Sequence, residues 1–489
     1  MSAETQTNGD KPTGYLGNLT DEQQQKLQAL WKLLLQCFDD NALDLASSPD
    51  TGDDSNNNGE VASPEESAST NGAGTSPATE NPSDQVPDST TAGSAKPKKS
   101  GKSLNFLKLK RSKGSSKSKT GGESTPAEDQ TAKDTKPEEA MEKLSLSPDS
   151  TTDAPTETLR ESFWRVVQAD HPDSILLRFL RARKWNVDKA LAMILTALRW
   201  RIESRVDEVI TLGEEGLDLK ILEKGISFLH GEDKQGRPVV VTRVKMHRKD
   251  DQTVEEMTRY LIWTIETLRM FLAPGMETVT IIFDLSDFTM ANMDFNFVKI
   301  LIRCLEAYYP ESLGALLIYN APWIFSGVWR MISPLLDPVV ASKINFIDQK
   351  QQFENFIDPT QLVDWLGGQS SFRYEYQKPT PEENKLMKNV EERDRRLAQY
   401  TALTNQLEEV TRSWAELGAP LDDNESAKQE LADLQSKRMA LAEELRQVVR
   451  DMDPYIRART LYHRMGVLQA HGSSTWDHIV GSKDDEQKE

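Results

Sequence analysis

Two carboxylates sit where catalytic acids often do. Asp284 and Asp287, in "FDLSD", follow an apolar run of strand length. Acids spaced this way after a strand serve more often as caps and turn formers. The six histidines are scattered, and none stands beside a nucleophile motif. There is no GxSxG, no P-loop and no metal-ligand spacing. Tyr308 and Tyr309 read as packing residues. The two cysteines, Cys37 and Cys304, lie far apart, which excludes a disulfide scaffold and a CxxC metal site. The expectation is a protein that is not an enzyme and uses no metal or cofactor.

The chemistry that the sequence does offer is apolar. In "NAPWIFSGVWRMISPLLDPVVASKI", residues 320–344, the part from Pro322 to Leu336 reads as a helix that is apolar on almost every face. It is too short to cross a bilayer. A fully buried core helix has this pattern. So does the lid of an apolar cavity, whose inner face seals the cavity and whose outer face meets a membrane.

The bulk numbers limit the setting. The 489 residues allow two or three domains, and a hydrophobic fraction of 37% is low for one globular body. The net charge of −19 argues against nonspecific binding to nucleic acid and against permanent adhesion to anionic lipid. The N-terminus lacks the pattern of a secretory signal, and the cysteine usage fits a reducing compartment.

Residues 1–18 read as disordered. "NLTDEQQQKLQALWKLLLQCF" reads as a helix over 19–38, capped by Thr20, with Leu27, Leu30, Trp31, Leu34 and Phe38 at helical spacing. Residues 41–155 have a low-complexity composition that cannot bury enough apolar surface to order itself. Within them, 96–119 form a basic island without an acidic residue. It is read first as a solvated charge run, and second as a patch for a membrane surface or anionic partner.

Order is expected to return at Thr156, with a helical lobe over 156–215 whose two central helices are capped by Asp173 and Asn186. Strands then alternate with helices to about 370. "EDKQGRP" turns between two strands, Thr253 and Glu256 form a capping box, and Asp294 caps a helix. "TVTIIFDL" reads as a strand buried on both faces. The alternation implies a mostly parallel sheet with helices packed against it. From 381 to 470 two polar helical segments read as a hairpin, with heptads too short for a long coiled coil. Residues 471–489 read as a loose tail.

"LLRFLRARKW", "YYPESLGALLIYNAPWIFSGVW" and "LLDPVVASKI", in this order, resemble the CRAL-TRIO family, and most closely its fungal phosphatidylinositol transfer proteins. The resemblance covers about 156–370, and the helix at 19–38 matches the family's leading helix. It implies an α/β lipid-binding fold over 216–375 with an apolar gate helix, preceded by the small helical lobe. The insertion and the C-terminal hairpin lie outside the pattern. About 115 intervening residues make closure of that loop cost roughly 4 kcal/mol. Burying the apolar face of the first helix can offset this at about 1.5–3 kcal/mol per side chain. The helix is therefore expected to dock.

What the resemblance implies for the site follows residue by residue. Trp323, Phe325, Val328, Trp329, Ile332 and Leu336 belong to the gate helix and cavity; Pro334 and Pro338 punctuate the helix end and read as one hinge. Arg183, Glu311 and Lys343 contact the phosphoinositol head group; the competing reading of Glu311 and Lys343 is an ordinary ion pair. Two departures weigh on the ligand. Val340 stands where the family has a threonine. Val279 and Ile281 stand where its phosphatidylcholine binders have hydroxyls. The implied function is a soluble carrier that extracts and exchanges phosphatidylinositol between membranes. The alternatives are a lipid-sensing adaptor that presents inositol lipid to a kinase and a carrier of a nonphosphorylated hydrophobe such as a sterol or squalene. The expected setting is cytoplasmic, with transient peripheral contact to membranes, as a monomer.

Overall fold

The computed structural model describes residues 12–40, 157–418, 424–469 and 474–476. The basic island and the remainder of the insertion lie outside the described residues.

Helix α1 (Asp21–Asp40) opens on a reciprocal cap: the Thr20 N–H donates to Gln23 Oε1 (3.0 Å) and the Gln23 N–H to Thr20 Oγ1 (3.2 Å). Its Leu27, Leu30, Trp31, Leu34 and Phe38 are buried against α2 (Leu159–Val167), α3 (Pro172–Ala182) and α4 (Val187–Glu203). Residues 12–18, expected without structure, form a tight turn on α3. Arg181 holds them there: it donates to the Gly14 carbonyl (2.9 Å), and its guanidinium lies 4.0 Å from the centre of the Tyr15 ring.

Asn186 caps α4 as expected, but Asp173 does not cap α3. His171 is the cap, with Nδ1 accepting from the Asp173 N–H (3.1 Å), and Pro172 opens the helix. The Asp173 carboxylate turns inward instead. It accepts from Trp31 Nε1 (2.7 Å) and from both terminal nitrogens of Arg438 (3.0 and 2.5 Å). A long-range pair has taken the carboxylate that local sequence assigned to the backbone.

The lobe ends with α5 (Val206–Leu212), and α6 (Leu219–Lys224) leads into the sheet. Five strands lie in the order β1 (Ser227–Glu232), β2 (Pro238–Arg243), β3 (Val279–Asp284), β4 (Leu313–Tyr319) and β5 (Ile344–Ile347). β1 and β2 are antiparallel and the other pairs parallel. The β1–β2 turn needs Gly236, whose φ is +74°, and Pro238 opens β2 where no ladder donor is required. α7 (Val254–Arg269) starts on the Thr253–Glu256 capping box, and α8 (Phe295–Arg303) on Asp294. α8 continues into one π-helical turn, Cys304–Tyr308.

Register makes the two sheet faces different. Val240, Ile281, Leu316 and Ile344 stand side by side across β2 to β5. Val241, Ile282 and Leu317 form the next row and point the other way, into a core with Phe228 and Phe353. β3 is therefore not buried alike on both faces. Ile282 is fully buried, whereas Ile281 and Phe283 are half-buried because their face borders a hollow.

Helices α11 (Val390–Leu417) and α12 (Glu425–Ile456) form the hairpin. At 1.5 Å per residue they run roughly 42 and 48 Å. Their partner is the lobe: Leu407, Trp414 and Leu445 share one core with α1 and α2. Polar ties reinforce the docking. Gln28 donates to the Trp414 carbonyl (3.0 Å), and Trp164 Nε1 to Glu408 (2.6 Å). The expected loose tail is held at one point, where Trp476 is buried among Phe271, His230 and Tyr462.

Candidate functional site

A cavity of about 270 Å³ lies between the sheet face of Val240, Ile281 and Leu316 and helices α7 and α8. Its lining is almost wholly apolar. A further wall is the connection from β4 to β5. It leaves the C-terminal end of β4 and forms α9 (Phe325–Ile332), then a 3₁₀ turn (Ser333–Leu335) and α10 (Pro338–Ser342). It enters β5 at that strand's N-terminal end, so this single crossover runs along the cavity from the C-terminal ends of the parallel strands to their N-terminal ends.

The expected helix over Pro322–Leu336 is thus shorter, with α9 covering eight residues. Pro334 cannot donate to a continued helix, and the chain tightens into the 3₁₀ turn there. Phe325, Val328, Trp329, Ile332 and Leu336 line the cavity. Trp323 does not. It precedes α9 and is 87% exposed. Met331, Leu335 and Val339 are exposed with it, so the crossover carries apolar side chains on both faces, with Ser326 and Arg330 among those exposed. Pro338 is the first residue of α10, whose cap is Asp337.

The crossover is tethered at its far end. Glu306, in the π-helical turn, accepts from the Asp337 N–H (3.0 Å) and also lines the cavity. Burial raises the Glu306 pKa, opposed in part by that N–H and by the Arg183 charge. Arg183 is half-buried and donates to the Ala182 carbonyl (3.3 Å). Glu311 and Lys343 meet directly, Oε2 to Nζ at 3.8 Å, with side chains 22% and 23% exposed. They stand just before β4 and β5, at the N-terminal edge of the parallel strands. Glu311 holds a φ of +57°, an unusual conformation for a residue with a side chain. Of the three head-group candidates, Glu311 and Lys343 form a pair. Arg183 makes no ion pair with them, but its charge is felt at Glu306. Val340, Val279 and Ile281, the residues of the two departures, all line the cavity.

At the same sheet edge the cavity wall turns polar through Arg178, Arg269, Glu277 and Tyr309. Behind it Glu266 accepts from Arg201 (2.8 Å), Tyr309 (2.9 Å) and Gln168 (2.9 Å). Burial raises its pKa, but Arg201 and Arg269 outweigh this and hold it well below the carboxylate range. Tyr309 is therefore more than packing, while Tyr308 stacks on Trp200 at 4.1 Å. Glu306 carried no local sequence signal, because a π-helical turn places it; Arg178 lies in the quoted "LLRFLRARKW", but only a junction of three elements brings it to the cavity. Asp284 accepts from the Ser286 N–H (2.9 Å), the turn role expected of it, and Asp287 pairs with Lys245 (2.9 Å). Cys304 is buried, which pushes its pKa up to about 12. Among the described residues no His, Cys, Asp or Glu cluster could hold a metal. Among them, too, no helix is long and apolar enough to cross a membrane.

Comparison with known proteins agrees with this geometry. The CRAL/TRIO domain model matches residues 222–368, and the CRAL/TRIO N-terminal domain model matches 129–195. A CRAL-TRIO domain-containing protein of Schizosaccharomyces pombe is 40% identical over 324 residues, 65% of this chain and 71% of that one. A phosphatidylinositol transfer protein of Eremothecium gossypii is 38% identical over 318 residues, 63% of this chain and 71% of that one. The SEC14 cytosolic factor of the same organism is 33% identical over 217 residues, 40% of this chain and 70% of that one. With an apolar cavity between a parallel sheet and a crossover helix, and with relatives that match at this level, the chain belongs to the CRAL-TRIO family of lipid-binding proteins.

Proposed function

We infer that this protein carries phosphatidylinositol between membranes by enclosing its acyl chains in the cavity beneath α9. At about 0.8 kcal/mol per methylene, moving two acyl chains through water costs tens of kcal/mol. An apolar cavity makes that transfer nearly neutral. The observation that carries the reading is the crossover 323–340, whose inner side chains seal the cavity while Trp323, Met331 and Leu335 face outward. Such a wall is suited to act as a gate: it can swing onto a bilayer with apolar side chains foremost. Pro334 and Pro338 would bound the moving part. Arg183, Glu311 and Lys343 would engage the head group at the N-terminal edge of β4 and β5, with Lys343 pairing with phosphate and Glu311 accepting from inositol hydroxyls. The setting would be cytoplasmic, with peripheral and transient membrane contact.

A specific observation favours a second reading. Val340, Val279 and Ile281 put apolar atoms on the cavity wall at positions where the resemblance implies hydroxyls. A nonphosphorylated hydrophobe would suit that wall. Lipid mass spectrometry on protein purified from cells tests both: inositol lipid supports the first, and sterol or squalene alone supports the second.

A further inference from the structure

The crossover is held in place almost wholly by apolar contacts. Between ring centres, Phe325 meets Phe288 at 5.9 Å and Trp329 meets Phe346 at 5.2 Å. Val328, Ile332 and Leu336 lie against the cavity. A bilayer offers contacts of the same kind, so these do little to keep the crossover closed once it meets lipid. Among the described residues, one polar bond ties residues 321–342 to a neighbouring element: the Asp337 N–H donates to Glu306 Oε1 (3.0 Å).

Both ends of that bond are specially placed. Asp337 is exposed and lies between Pro334 and Pro338, neither of which has an N–H to give. Glu306 is half-buried in the π-helical turn, which is closed by the Tyr309 N–H on the Cys304 carbonyl (2.9 Å). The wider turn brings a carboxylate to an otherwise apolar wall. Burial raises the Glu306 pKa, and the Asp337 carboxylate adds to this while the Asp337 N–H and the Arg183 charge oppose it. The charge is therefore disfavoured in the closed wall, and what favours closure is the acceptor oxygen.

We propose that Glu306 is a positioning residue that latches the crossover: its bond to the Asp337 N–H holds the gate closed in water and sets how readily it opens onto a bilayer. The latch rests on the reading of the crossover as a gate. Leaving the closed position exchanges apolar contacts for those of lipid tails, but the bilayer core has no acceptor for this N–H.

Two readouts on the full chain test the latch. The first is hydrogen exchange over residues 333–343 in water, followed by mass spectrometry, which needs no particular cargo. The second is the rate of transfer of pyrene-labelled phosphatidylinositol between phosphatidylcholine vesicles. Glu306→Gln and Glu306→Ala are both neutral and differ in the acceptor. Glu306→Ala should exceed Glu306→Gln in both readouts by about twofold to tenfold, the worth of one neutral hydrogen bond. On the donor side, Asp337→Pro removes the N–H at a φ of −57° that suits the ring, and should exceed Asp337→Ala, which keeps it. In the Glu306→Ala background Asp337→Pro should add nothing beyond Asp337→Ala, because the bond is already gone. Melting curves check that each variant folds, and the donor pair stands in for the acceptor pair if one does not. Equal rates for Glu306→Ala and Glu306→Gln in either readout, or fully additive effects at the two positions, would overturn the latch. If no variant and no wild-type chain transfers phosphatidylinositol, the carriage reading fails and hydrogen exchange alone decides: the same order supports a latch over another cargo, and equal protection overturns it.

Discussion

Replacing Glu311 and Lys343 together by alanine separates a head-group site from an ordinary ion pair. The two charges stand 3.8 Å apart with nearly a quarter of each side chain exposed. A pair so placed contributes about 0.2–1 kcal/mol to stability. Removing both at once leaves neither charge orphaned. The melting temperature should therefore fall by less than about 4 °C, at about 2–4 °C per kcal/mol for a domain of this size. Lipid uptake is another matter. A charge-assisted hydrogen bond to phosphate or from an inositol hydroxyl is worth about 1.5–3 kcal/mol, or roughly 10–150-fold in affinity. The assay is the initial rate of radiolabelled phosphatidylinositol transfer from donor to acceptor vesicles, beside the melting curve. The expected outcome is at least a tenfold loss of transfer at almost unchanged stability. Wild-type transfer by a folded double variant would refute the head-group assignment. A large drop in melting temperature would show instead that the pair is structural.

Other consequences follow from the same geometry. Trp323→Asp combined with Met331→Asp places two carboxylates on the outer face of the crossover, where neither side chain is buried. Stability should stay within about 1 kcal/mol while vesicle exchange falls at least tenfold; normal exchange would remove the gate. Arg438→Met strands the buried Asp173 carboxylate and should cost about 3–5 kcal/mol in denaturant unfolding. A cost under about 1 kcal/mol would mean that this pair does not anchor the hairpin. Burial lowers His230 to about 4, against roughly 6.5 in the unfolded chain. Above pH 6.5 the ring is neutral in both states. As the pH falls toward 4 only the unfolded chain takes the proton, so about 2 kcal/mol of stability is lost by pH 5. His230→Phe should flatten that part of the stability curve, and an unchanged slope would contradict it.

Much of this fold is legible because its signals are local. Thr253–Glu256, Gly236–Pro238 and the apolar runs of β3 and β4 each act through neighbours in sequence, and the structure forms the cap, turn and strands they imply, although β3 buries only one face fully. Asp173 shows where such reading stops. Its position suits a cap, but Arg438, far along the chain, offers a charged partner and takes the carboxylate inward. Tyr15 and Trp476 sit in segments of polar, loop-like composition. A single guanidinium orders the first and a cluster of rings the second. For the site, a run that is apolar all round identified the crossover but could not say which side faces a cavity. That is set by the register of Ile281 and Leu316 opposite it. The places of Glu306 and Arg178 at the cavity could not be read, because they depend on elements that meet only in the folded chain.

The central claim is that the space beneath α9 holds a lipid. Native mass spectrometry of the chain purified from cells, beside an Ile281→Trp variant that fills the cavity from β3, tests it most directly. The account predicts one co-purified lipid per wild-type chain, and its loss from a variant that still folds. A wild-type chain with no bound lipid that also takes none from vesicles, or an Ile281→Trp chain that carries lipid as well as wild type, would contradict it.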